Sequence, residues 1–135
     1  MFTSLRLPLI CALLLPVTEV ALAAECATDE GRGAQLFAFE CSACHSLTKD
    51  VKGMMGPSLA GVIGRKSGAL TDFNYSQAML LKDVTWQIES IAQLIEQPQA
   101  FVPGTFMPYA GMAVAQDRQA VACFIKNNIN RPSSG

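Results

Sequence analysis

The chain has 135 residues, ten of them Lys or Arg and eleven Asp or Glu, for a net charge of −1. That length suits one small domain, and an even charge balance without a basic arm or acidic tail excludes nucleic acid as an implied partner. Half of the residues are apolar, but the first stretch inflates that figure.

That stretch, "MFTSLRLPLICALLLPVTEVALAA", carries one basic residue (Arg6), then a Leu-rich run, then small residues. Residues 1–23 are expected to be a secretory signal, cut after Ala23 or Ala24, because Ala21-Leu22-Ala23 fits the small-x-small rule. A membrane anchor is the competing reading. Pro8 and Pro16 interrupt the apolar run and leave it short for a span. Glu25 stands where a lipoprotein signal needs a small residue, so lipidation of Cys26 is not expected. Residues 24–135 then form one domain in the periplasm, with no stable membrane insertion after cleavage. A monomer is expected.

The first helix is predicted from about Asp29 to Cys44, with Thr28 or Asp29 as its cap. Gly33, Phe37, Cys41 and Cys44 make a stripe at helical spacing. Gly33 is either a weak spot or a place where another helix comes close.

"CSACH" follows, with Cys41, Cys44 and the chain's one histidine, His45. A thioredoxin-like redox pair needs a strand before it and a βαβ context, which the flanks lack. Zinc needs about four ligands at matching spacing, and no second Cys-x-x-Cys or histidine exists. Covalent haem attachment needs only what is present: two thiols for the two vinyl groups and an adjacent imidazole for the iron. One helical turn brings Cys41, Cys44 and His45 to one face. One such motif implies one haem c.

His45 fills one axial position of the iron. The other is a methionine, a lysine, a weak ligand or empty. The candidates past the signal are Met54, Met55, Met79, Met107 and Met112. Met107 is favoured. It sits in "VPGTFMPY", a Pro- and Gly-rich loop far along the chain, with Phe106 and Tyr109 able to cover a haem edge. Met112 is its main rival.

Between these points "KGMMGPSLAGVIGRKSGAL" is predicted to be a long ordered loop with something to wrap. Thr85 is expected to open a helix over "TWQIESIAQLIEQP", with Ile88, Ile91, Leu94 and Ile95 on its apolar face and Pro98 at its end. A last helix lies near "QDRQAVACFIKNN", with Val121, Phe124, Ile125 and Ile129 facing inward. No β pattern is convincing, so the fold class is all-α.

These motifs, with "GPSLAGVIGRKSG", "FNYSQAM" and "TW" in order between them, resemble the class I cytochromes c, closest to the mitochondrial and bacterial c2-like group. The resemblance spans about Asp29 to Asn128. It implies the class I cytochrome c fold, helices and ordered loops around one covalently bound haem. It implies thioethers at Cys41 and Cys44, and iron ligation by His45 and Met107. Pro57 would accept from His45 Nδ1–H. Tyr75 and Trp86 resemble the residues that bind a haem propionate, with Arg65 screening that charge. Read without the resemblance, Trp86 is an ordinary buried aromatic and Arg65 a solvated cation. Gly33 and Phe37 resemble first-helix residues packed on the last helix against Val121 and Phe124.

The departures from the group also count. Leu94 and Met79 stand where the mitochondrial branch has polar residues near the methionine sulfur, which removes support for a water network there and for a mitochondrial-like potential. Glu40, Gln99 and Phe106 occupy positions that often carry lysines around the haem edge. Steering toward an acidic partner is therefore expected to be weak.

The expected function is a one-electron carrier between redox proteins (a reductase and an oxidase or dehydrogenase), not an enzyme. The alternatives are a subunit dedicated to a dehydrogenase or oxidase, or a peroxidase or ligand sensor with a labile Met107. Cys26 and Cys123 lie outside the motif. They either form a disulfide between the N-terminal extension and the last helix, or leave a buried thiol at Cys123 and an unpaired or intermolecular Cys26.

Overall fold

The computed structural model describes Cys26 and residues 30–49 and 51–128. The expected signal segment, the caps at Thr28 or Asp29, and Ile129 lie outside these residues. In chain order the elements are α1 (Glu30–Leu36), a π-helical turn (Phe37–Cys41), α2 (Gln77–Leu81), α3 (Ile88–Glu96), α4 (Pro98–Phe101) and α5 (Ala115–Asn128). The described residues form no strand, only an isolated bridge between Lys66 and Thr85. The all-α expectation holds, and no helix among the described residues is long and apolar enough to cross a membrane.

The first helix is shorter than the stripe predicts. Its regular part ends at Leu36, and the widened turn that follows closes with Ser42 N–H on the Phe37 carbonyl at 2.9 Å. Such turns insert one residue into the helical phase and recur at functional sites. Here the turn delivers Cys41. α1 packs on α5, and α3 packs on α5. Gly33 is buried in the first of these crossings. A Cβ built on it would overlap the Ala120 carbonyl oxygen and lie 2.9 Å from Phe124 Cβ. Gly33 therefore allows a close helix approach. Beside it the Phe37 and Phe124 rings stand 5.6 Å apart. The crossing is tied at its edge by Arg32, whose Nε and Nη2 donate to the two Asp117 carboxylate oxygens at 2.5 and 2.7 Å.

α3 starts later than expected. Thr85 and Trp86 are extended, with Trp86 N–H on the Arg65 carbonyl and Gly64 N–H on the Trp86 carbonyl. Gln87 is the cap, and its side chain and that of Ser90 exchange bonds with the backbone, satisfying donors the first turn leaves open. Ile88, Ile91 and Ile95 are buried against the core as expected, and Leu94 is half-buried. Pro98 does end α3, but it also opens α4, where its missing N–H costs nothing. α2 has no counterpart among the predicted elements. Five residues are too few for a periodic pattern, and α2 is held by Ser76 Oγ accepting from Met79 N–H at 3.2 Å.

α5 buries Val121, Phe124 and Ile125. It also carries Cys123, which is bonded to Cys26. The disulfide is thus formed, and it ties Cys26 to the last helix.

Candidate functional site

A cleft of about 340 Å³ opens among these elements, within the range of small-molecule sites. Its walls come from the Cys41–His45 turn, the long loop after it, α2, α3 and the loop that follows α4. The expected site residues Cys41, Cys44, His45, Pro57, Arg65, Tyr75, Trp86 and Met107 all line it.

The motif folds as one helical turn. The N–H groups of Cys44 and His45 both donate to the Cys41 carbonyl, at 3.1 and 2.9 Å. This brings the two sulfurs and the imidazole to the same wall. Downstream, Gly56 N–H donates to the Cys44 carbonyl at 2.9 Å and Leu59 N–H to that of Ser46 at 2.8 Å, which folds the loop back onto the turn. His45 Nδ1 lies 2.8 Å from the Pro57 carbonyl oxygen. A carbonyl only accepts, so Nδ1 carries the proton and Nε2 keeps its lone pair. Burial pulls the His45 pKa down, and the Pro57 carbonyl opposes that in part. The ring is a neutral donor, as a metal requires.

The surroundings of Cys41 agree with setting the redox-pair reading aside. Cys41 is pushed up to about 11, by burial first and then by Glu40 and Cys44. A redox-active Cys-x-x-Cys lowers its attacking thiol instead. Cys41 is held as a protonated thiol in an apolar wall. The described residues also contain no cluster of His, Cys, Asp and Glu able to hold a metal by themselves.

The loop after α4 supplies Met107. Gln99 Nε2 donates to the Thr105 carbonyl at 2.9 Å, and Met107 N–H to Thr105 Oγ1 at 3.3 Å, so buried Thr105 anchors the loop on both sides. Met55 and Met79 also line the cleft, whereas Met112, the expected rival, is buried in the core and does not reach the lining. Met55 Sδ sits 3.9 Å from Cys44 Sγ. Leu94 and Met79 give the neighbourhood of Met107 the apolar character the sequence predicts.

Arg65 is not a solvated cation. Its Nη1 donates to the Ala60 carbonyl at 2.9 Å and its Nη2 to that of Ser58 at 2.8 Å, fixing a half-buried positive charge at the cleft. Burial raises the pKa of nearby Tyr75, against the pull of Arg65. Trp86 is buried, with its ring 6.4 Å from that of Phe101. One relationship was missed in the sequence. Tyr109 does more than cover an edge: its hydroxyl donates to the Glu40 carboxylate, joining the loop of Met107 to the turn of Cys41. Burial and that bond raise the Tyr109 pKa. No short-range pattern links residues this far apart.

These residues fit a haem c. Two thiols, an imidazole with a committed Nδ1, a thioether, apolar walls and a guanidinium for an acidic edge share one cleft.

A model of the family described as "Cytochrome c" matches residues 31–128. Cytochrome c of Gibberella zeae is 33% identical over 100 residues, covering 74% of this chain and 94% of the relative. Cytochrome c of Arabidopsis thaliana is 32% identical over 98 residues, 73% of this chain and 88% of the relative. That of Euglena viridis is 38% identical over 98 residues, 73% and 95% respectively.

Proposed function

We propose, from the premise that this chain belongs to the cytochrome c family, that it is a periplasmic carrier in which His45 and Met107 ligate the iron. Family membership establishes the coarser statement: the chain carries one covalently attached haem c and moves electrons rather than catalysing a reaction. When bound, haem c supplies a one-electron couple. The finer assignment follows from the residues. Cys41 and Cys44 form the thioethers. Pro57 fixes the His45 ring through its Nδ1–H and strengthens Nε2 as a donor. Met107 supplies a thioether, which favours the ferrous state and raises the potential. Arg65, Tyr75 and Trp86 hold the propionate side. Held by His45 and Met107, the iron would offer no open position to a substrate. Electrons pass through the mouth of the cleft to and from redox proteins, a reductase on one side and an oxidase or dehydrogenase on the other. Residues 1–23 direct the chain across the inner membrane and are removed, leaving a free monomer.

The observation that carries this reading is the convergence of Cys41, Cys44, His45 and Met107 on one cleft, with His45 Nδ1 already committed. The ferric protein is expected to show the weak far-red band of an iron–thioether bond, and Met107→Ala to abolish it. A band that survives Met107→Ala sinks the ligand assignment. The amino-terminal sequence of the exported protein tests the cleavage, with Ala24 or Glu25 expected first.

A further inference from the structure

We propose that the mouth of the cleft docks a redox protein whose own contact patch is apolar and has no ring of carboxylates. This deepens the electron-carrier reading and rests on it.

Large apolar side chains stand out at this mouth. Phe106 is 70% exposed and Met55 71%, and both line the cleft. Phe39, 88% exposed, directly precedes Glu40, which lines it too. Each leaves apolar surface in water that a partner would cover. Aromatic and methionine side chains are also the usual anchors of protein interfaces, and methionine adapts to varied surfaces.

Charge decides what kind of partner fits. Among the residues lining the cleft, Arg65 is the one Lys or Arg and Glu40 the one Asp or Glu. Arg65 is turned onto the Ser58 and Ala60 carbonyls and is half-buried. No lining residue therefore turns a cation outward to an approaching surface. The mouth shows one carboxylate, already bonded to Tyr109. A partner ringed with acids would find nothing to pair with and would meet Glu40 with like charge. An apolar partner covers Phe106, Met55 and Phe39 and leaves Glu40 at the rim, where its remaining lone pairs take a donor or water.

The test compares electron exchange between the holoprotein and two blue copper proteins, one with copper under an uncharged apolar patch and one with an acidic patch. With the apolar probe, the second-order rate is expected to change less than about twofold between about 10 mM and about 1 M salt, where screening shortens from about 30 to about 3 Å. With the acidic probe the rate is expected to be lower and not to fall as salt rises. Phe39→Ser lies outside the cleft, so it is expected to lower the apolar-probe rate several-fold while leaving the haem spectrum and oxidation by ferricyanide unchanged. Phe106→Ser is expected to lower it about tenfold, the scale of losing an interface anchor. A faster reaction with the acidic probe that collapses in salt overturns the proposal, as do apolar-probe rates that neither variant moves. A holoprotein that ascorbate and ferricyanide cannot cycle would instead remove the carrier reading itself.

Discussion

Gly33 and the Ala120 carbonyl face each other with no room for a side-chain carbon between them. The contact sits where α1 crosses α5. The obstruction on one side is backbone of α5 and on the other Phe124 Cβ, so neither can rotate away. Gly33→Ala gains about 1 kcal/mol of helix propensity but forces the helices apart, and overpacking of this kind costs about 1–3 kcal/mol. A net loss is expected, largest if the Phe37–Phe124 contact opens as well. Urea unfolding of the holoprotein measures it, and a variant more stable than the parent would show that α1 shifts freely.

The same crossing carries an acid-sensitive ion pair. The Arg32 side chain holds the Asp117 carboxyl below its ordinary value, chiefly through their hydrogen bond. A carboxyl with a depressed folded pKa binds a proton less readily folded than unfolded. Its contribution is present above its unfolded pKa and is lost as pH falls through the folded one. Stability should therefore decline across about pH 4 and below, and Asp117→Asn should flatten that part of the acid limb while lowering stability at neutral pH. Urea midpoints collected down the acid limb for both proteins check the difference in slope.

The Cys26–Cys123 bond closes a loop with a sequence separation of 97. Cross-links of that span restrict the unfolded chain and contribute about 2–5 kcal/mol on a chain-entropy account. Cys26→Ser with Cys123→Ser should unfold at lower denaturant with the haem still attached, because the thioethers are elsewhere. Alkylation of unreduced parent protein should label neither cysteine. Two labelled thiols would contradict the bridge.

How much of this was legible in the sequence depended on the range over which each feature is determined. Cys41, Cys44 and His45 lie within one turn, so their spacing alone placed them on one wall. The faces of α3 and α5 followed from apolar periodicity, since Ile88, Ile91, Ile95, Val121, Phe124 and Ile125 are all buried. Three features were not readable, and two of them depended on partners distant in sequence. The widened turn at Phe37–Cys41 breaks a stripe that looked regular. Thr85 could have been a helix cap by composition, yet the pairing of its neighbour Trp86 with Arg65 holds it extended. The bond from Tyr109 to Glu40 joins residues whose separation no local pattern spans. Arg65 shows the other limit. Its charge was visible, but composition could not tell a solvated guanidinium from one fixed on two carbonyls.

Gly56 sets the tightest condition on the site. A Cβ built there would stand 2.7 Å from His45 Nδ1 and 2.8 Å from Nε2. Nδ1 is the atom that donates to the Pro57 carbonyl, and Nε2 is the proposed iron donor. The ring cannot retreat without breaking the Nδ1 bond to Pro57, and Gly56 is itself pinned by its N–H on the Cys44 carbonyl. In Gly56→Ala the ring should tilt, so that the imidazole loses either the Pro57 carbonyl or its aim at the iron. Losing the carbonyl weakens the imidazole as a donor, and changes to such outer partners typically cost about 10–100-fold in metal affinity or activity. A lower yield of holoprotein with a shifted reduction potential is expected, while Cys41 and Cys44 remain attached to haem. The far-red band separates this from damage at Met107, because the band should persist in whatever fraction keeps both axial ligands. A Gly56→Ala protein with parental yield, potential and spectrum would mean that His45 has more freedom than its contacts with Gly56 and Pro57 allow.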